Sequence, residues 1–214
     1  MTVLTSDVLK KALHKACSSF APDELAYLAL TSKPELPIRD RLAWVLHREL
    51  PGSVAAREWN PGGGRARSDL AVLQEETHEP LALVEMKAAY TFDFARAEQL
   101  TVEKYRRYIA DDLDKAHQAG GTSARVFGLL LLTHPASPPR QPTPVVKYGR
   151  EIARALSGRT PDELSGVALE NARRCLAAHG TVEDGTLHAG RAFGIDVDVK
   201  YLLVSRLAVR SAGT

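Results

Sequence analysis

The sequence predicts an α/β protein with a mixed central β-sheet flanked by helices, and three observations predict it. Apolar residues recur at helical spacing up to about residue 50, then change to strand-like runs, three of them packed between Val54 and Ala88. A Pro- and Gly-free stretch, Phe94 to Gln118, follows. It leads to Val126–Leu132, a continuous apolar run of strand length, the pattern of a strand covered on both faces. The resulting order is helix, three strands, helix, strand.

Taken in order, Thr5 or Ser6 caps a helix running to about Ser19, and Pro22-Asp23-Glu24 opens a second, short one. Ile38, Leu42, Val45 and Leu46 then define a third helix over 36–50, stopped by Pro51-Gly52. Val54–Trp59 and Ser68–Leu73 read as strands joined by the glycine-rich turn Asn60–Gly64. Leu81–Ala88 is a third strand after a polar loop. Phe94 to about Gln118 reads as one long helix ended by Gly120-Gly121. His134–Pro144 holds five prolines and reads as a loop. Beyond it come helices near Val146–Leu156 and Pro161–His179, then strand-like stretches near Leu187–Phe193 and Val197–Val204, a tail expected to add a strand and peripheral helices to the sheet. The whole reads as one domain: a helical lead-in over 1–35, a core over 36–132 and an extension over 133–214.

With 214 residues, 44% hydrophobic and 25% charged, the chain has enough apolar material for a full core. A formal net charge of +2 provides little long-range pull on nucleic acid, so any such attraction has to come from local clustering. Cys17 and Cys175 show no metal or disulfide spacing, which suits a reduced, cytoplasmic setting. The longest apolar run falls well short of the roughly 20 residues of a membrane helix, so no membrane is expected as a partner.

The chemistry concentrates in Ser68-Asp69-Leu70-Ala71-Val72-Leu73 and Leu81-Ala82-Leu83-Val84-Glu85-Met86-Lys87. Side chains alternate across a strand, so Leu83, Glu85 and Lys87 share one face. Antiparallel pairing would bring Asp69 within a cross-strand neighbour's reach of Glu85. Carboxylates beside an apolar core are costly unless paired or bound to a cation. A hard divalent ion such as Mg²⁺, or Mn²⁺ in its place, takes one or two carboxylates plus water and phosphate oxygens. Lys87 would then orient the attacking water or neutralise developing charge. An acid-x-Lys strand end alone is ordinarily an exposed salt bridge worth little; its placement after Asp69 on apolar strands sets this one apart.

In these residues the chain resembles the PD-(D/E)xK phosphodiesterase superfamily of restriction enzymes, repair nucleases and resolvases. Asp69, fifteen intervening residues and Glu85-Met86-Lys87 match its signature, and the element order over 36–132 matches its αβββαβ restriction-endonuclease-like core. The resemblance implies a metal-dependent nuclease that hydrolyses phosphodiesters of DNA or RNA, an endonuclease more than an exonuclease, in restriction, phage defence or repair. It implies catalytic Asp69, Glu85 and Lys87, with Asp69 and Glu85 as metal ligands, and a homodimer as partner state. Ser68 stands where the superfamily name has Pro. An accessory acid is left open among Asp40, Glu35 and Glu58. Gln99 and Tyr105, six apart, do not make the Gln-x-x-x-Tyr of one branch.

Other features have ordinary explanations beside the functional ones. Arg65 and Arg67 in the glycine-rich turn would grip a phosphate strand, although such turns are more often plain hairpin tips. Lys104, Arg106 and Arg107, mixed with Glu103, Asp111, Asp112 and Asp114, look like a solvated helix face. Tyr90, Phe92 and Phe94 suit packing better than base stacking, and His134 and His188 suit loop or core roles. Two further functions stay open: a catalytically inactive nuclease-like subunit for nucleic-acid binding or assembly, and a hydrolase using Asp69 and Glu85 as an acid–base pair.

Overall fold

The computed structural model describes residues 4–62, 67–95, 99–121, 123–141 and 144–206. Helices α1 (Ser6–Ser18), α2 (Glu24–Thr31) and α3 (Glu35–Glu49) precede strands β1 (Ser53–Trp59), β2 (Ser68–Gln74) and β3 (Pro80–Tyr90). Then come α4 (Thr91–Ala95), α5 (Gln99–Gly120), β4 (Arg125–Pro135), α6 (Gly149–Ala155), α7 (Pro161–Leu176) with a short 3₁₀ turn, β5 (Thr181–Ala192) and β6 (Ile195–Arg206). The fold is mixed α/β.

All six strands form one open sheet in the order β1-β2-β3-β4-β6-β5. Only β3 and β4 run parallel, since the crossover through α4 and α5 separates them; the other pairs are antiparallel. Helices α5 and α7 pack on one face, and α1, α2 and α3 lie against the rest. Buried residues from Leu4 to Val204 join in one cluster. The central strand β4 reads Val126–Leu132 because both of its faces are covered; apart from Gly128, every residue in this run is a buried apolar side chain.

Local chemistry accounts for the helix ends. Thr5 caps α1 by accepting the Val8 amide at 3.3 Å. Thr160 and Glu163 form a reciprocal capping box at α7, with Pro161 in the first turn. Asp23, by contrast, caps nothing with its side chain; it accepts the amide of Arg191 at 2.7 Å and so ties the start of α2 to the end of β5.

Three expectations need correction. The stretch read as one helix from Phe94 carries α4, which already starts at Thr91 and ends at Ala95, and α5, which starts at Gln99, with residues 96–98 outside the described residues. The Phe94 carbonyl accepts from the Asn171 side chain at 2.8 Å, which ties α4 to α7. The tail adds two strands instead of one, because β5 and β6 form a hairpin whose two-residue turn, Phe193-Gly194, has both φ values positive. The proline-rich stretch starts later than read, since His134 and Pro135 still pair with β6.

Candidate active site

Strands β2 and β3 part company where the candidate residues lie. Their ladder ends at Leu70 opposite Val84, while β2 continues beside β1 to Ser68 and β3 continues beside β4 to Tyr90. Past Val84, β3 therefore has a strand neighbour on one side only. The amides that point to the other side, at alternate positions, need acceptors.

Carboxylates supply all three. The Met86 amide donates to Asp69 Oδ2 at 2.7 Å, the Ala88 amide to Glu35 Oε2 at 2.9 Å, and the Tyr90 amide to Asp93 Oδ2 at 2.9 Å. Asp69 and Glu35 are thus held against the backbone of the strand that carries Glu85 and Lys87. Each engages the backbone through one oxygen.

Glu85 is buried, with only 8% of its surface exposed. Burial pushes its carboxyl up to about 7, and the charge of Asp69 pushes the same way against a hydrogen bond from Ser68 and the pull of Lys87. Ser68 is itself buried, and its side chain hydrogen-bonds to Glu85. Burial also raises Glu35, with Lys87 opposing and Asp69 adding to the rise.

Lys87 shares the α5 face with Glu85. Its ammonium donates to the Met86 carbonyl at 3.0 Å and meets Asp112 Oδ2 at 2.6 Å. Burial works against its charge, but Asp112, Asp69 and Glu35 outweigh this and hold the ammonium above its ordinary value. Opposite Glu85 on β4 stands Gly128, whose missing side chain lets Leu113 of α5 approach the sheet.

A cleft of about 280 Å³ opens onto Glu85 between the β1–β2 turn and α5, lined also by Arg67, Ser68, Asp112 and Lys115. Arg67 is well exposed and pairs with Glu58 at 3.4 Å. Arg65 lies outside the described residues.

No family model, no curated protein and no solved structure matches this chain.

Asp69, Glu85, Lys87 and Glu35 converge; the other two accessory acids do not join them. Asp40 is bound by Arg39 and Arg57, and Glu58 by Arg39 and Arg67, in a network around the buried Arg39. Among the described residues, no hydrogen bond or ion pair links Asp40 or Glu58 to Asp69, Glu85 or Lys87. Glu58 also has φ of +49°, outside strand geometry, which breaks the β1 ladder at the level of Asp69.

Asp112 was expected on a solvated face and is instead a half-buried partner of Lys87. Its position was readable: Ile109, Leu113, Ala116 and Gly120 form the buried stripe of α5, and Asp112 sits at three and four residues from two of them. Arg106 and Arg107 are exposed as expected, and Tyr90, Phe92 and Phe94 are core residues. His134 is buried against Thr91, and His188 is exposed and pairs with Asp198. Both cysteines are free thiols.

Asp69 and Glu85 are oxygen donors of the kind a hard cation could take: the charge of Asp69 works against that of Glu85, and the Lys87 ammonium is engaged by Asp112. Among the described residues, no group of three His, Cys, Asp or Glu side chains is assembled for a metal. Mg²⁺ needs no such cage, since it keeps several waters and binds through one or two carboxylates. No helix among the described residues is long and apolar enough to cross a membrane.

Proposed function

We propose that this chain is a metal-dependent nuclease of the PD-(D/E)xK type that hydrolyses phosphodiester bonds of DNA. Asp69 and Glu85 would hold Mg²⁺ or Mn²⁺. The observation that carries this reading is the parting of β2 from β3, which seats Asp69 on the Met86 amide next to Glu85 and Lys87. A sheet that opens at an Asp and a Glu-x-Lys strand makes a recess with acids for a cation and an ammonium for the phosphoryl group.

When bound, the ion supplies Lewis-acid polarisation of the phosphoryl oxygen and acidifies a water. The chain's own residues do the rest. Lys87 offers a fixed positive charge to the phosphorane that develops during attack. Ser68 orients the Glu85 carboxylate through its hydroxyl. Glu35, the accessory acid that reaches the site, adds negative charge on the β3 edge. Arg67 and Lys115 on the rims of the cleft attract the phosphate backbone.

The test incubates purified protein with plasmid, linear and single-stranded DNA and with RNA, in Mg²⁺, Mn²⁺ or EDTA, beside Lys87→Ala. Metal-dependent cleavage lost in the variant is the expected result. Retained cleavage in Lys87→Ala overturns it. Among the described residues no group of three His, Cys, Asp or Glu side chains is assembled for a metal, which leaves a second reading, a nuclease-like subunit that binds nucleic acid without cutting it. Binding without cleavage under any of these metals would establish that reading.

A further inference from the structure

Helix α5 brings one acid into the site from outside the β-strands. Asp112 is about as buried as Lys87, with side-chain exposures of 23% and 27%. Its Oδ2 meets Lys87 and its Oδ1 meets Lys115 at 3.3 Å. It borders the cleft that opens onto Glu85, and also a smaller cavity shared by Glu85, Lys87, Gly128 and Leu130.

A lysine stem has four rotatable carbons and a compact charge, so its position depends on what it pairs with. Lys87 has three acids within electrostatic range besides Asp112: Glu85 two residues back on the same face, Asp69 across the gap, and Glu35. Collapse onto Glu85 or Asp69 would neutralise the carboxylates a cation needs. The observed ammonium does neither. It is pinned from two sides, by the Met86 carbonyl and by Asp112.

We infer that Asp112 is a positioning residue for Lys87, drawing the ammonium to the α5 side so that Asp69 and Glu85 stay open to a divalent cation. The inference rests on the nuclease reading for its catalytic consequence. Its binding consequence stands by itself: without Asp112, Lys87 competes with the cation for the carboxylates.

The experiment compares wild type, Asp112→Ala and Asp112→Asn in three measurements. Calorimetric titration with Mn²⁺ alone should show about tenfold weaker binding in Asp112→Ala, the scale usual for the loss of a group that orients a metal site. Asp112→Asn, which keeps an acceptor for the ammonium, should recover part of it. Cleavage should lose kcat and need more metal at half-maximal rate while KM for DNA stays within about twofold, a split that general loosening of the fold does not produce. Mass-spectrometric mapping of amine acetylation, with exposed Lys11 as internal reference, should show altered labelling of Lys87 in Asp112→Ala. Equal Mn²⁺ affinity in wild type and Asp112→Ala overturns the inference, whether or not the protein cleaves DNA. Wild-type protein that binds Mn²⁺ but cleaves nothing overturns the nuclease reading instead.

Discussion

The carboxylate of Glu35, at the first turn of α3, accepts the backbone amide of Ala88 on β3 at 2.9 Å across 53 positions of sequence. This contact separates two contributions that one side chain makes. Glu35→Gln keeps an acceptor for the amide and removes the charge; Glu35→Ala removes both. An unmade bond to a buried amide costs about 1–3 kcal/mol. Glu35→Ala should therefore lower the midpoint of urea unfolding clearly and Glu35→Gln little. Under the nuclease reading both should weaken Mn²⁺ binding by titration. Equal unfolding midpoints for the two variants would remove the structural half of this account.

Glu85 should make the metal-free protein less stable as pH rises. Its carboxyl, near 4.5 in an unfolded chain, is raised to about 7 in the fold. Below about 4.5 both states hold the proton; between 4.5 and 7 only the folded state does, so stability falls through this window and stays low above it. The full effect is of order 3 kcal/mol. Glu85→Gln should thus match wild type near pH 4.5 and melt several degrees higher at pH 8 in EDTA, by scanning calorimetry. Added Mg²⁺ should narrow that difference at pH 8 by stabilising wild type alone.

Asp40→Asn and Glu58→Gln should leave metal-dependent cleavage within about twofold of wild type, because arginines engage both acids away from Asp69 and Glu85. Each variant removes one of the two carboxylates that pair with the buried Arg39, so the unfolding midpoint should fall even where cleavage is kept. A collapse of kcat in either variant would return that acid to the site.

These acids show what the sequence could and could not reveal. Asp69, Glu85 and Lys87 were legible because strand alternation fixes which face each side chain takes. Glu35 was not separable from Asp40 and Glu58, since the choice depends on where β2 leaves β3, which is a packing outcome. Asp112 was hidden among Asp111 and Asp114, although its spacing from Ile109 and Ala116 marks it as half-buried. The start of β5 was missed for a related reason: Thr181–Thr186 is an edge stretch with little buried surface, so it lacks the apolar alternation of a covered strand. The docking of α4 on α7 through Asn171, 77 positions from Phe94, is likewise a tertiary contact that no local pattern announces.

Gly128→Ala should destabilise the protein by about 1–3 kcal/mol through overpacking. A Cβ there would lie 2.8 Å from Val204 Cγ1 and 3.2 Å from Leu113 Cδ2. Thermal unfolding should register the loss. A Leu113→Ala background, which vacates one side of the contact, should reduce the penalty of the second change; strict additivity would show that Leu113 is not what the glycine accommodates.

Thr133→Val should stabilise the fold by roughly 1 kcal/mol. The Thr133 hydroxyl is buried with no hydrogen-bond partner among the described residues, and valine keeps its shape without that cost. An unfolding midpoint below that of wild type would reveal a partner for the hydroxyl.

The outer half of β3 is a sheet margin lying inside the molecule, and such a margin invites any extended peptide to add itself to the ladder. Asp69, Glu35 and Asp93 occupy the very donors an intruding strand would need. The same carboxylates that gather beside Glu85 and Lys87 therefore also plug that margin, and stripping them away would leave its amides bare to a foreign strand.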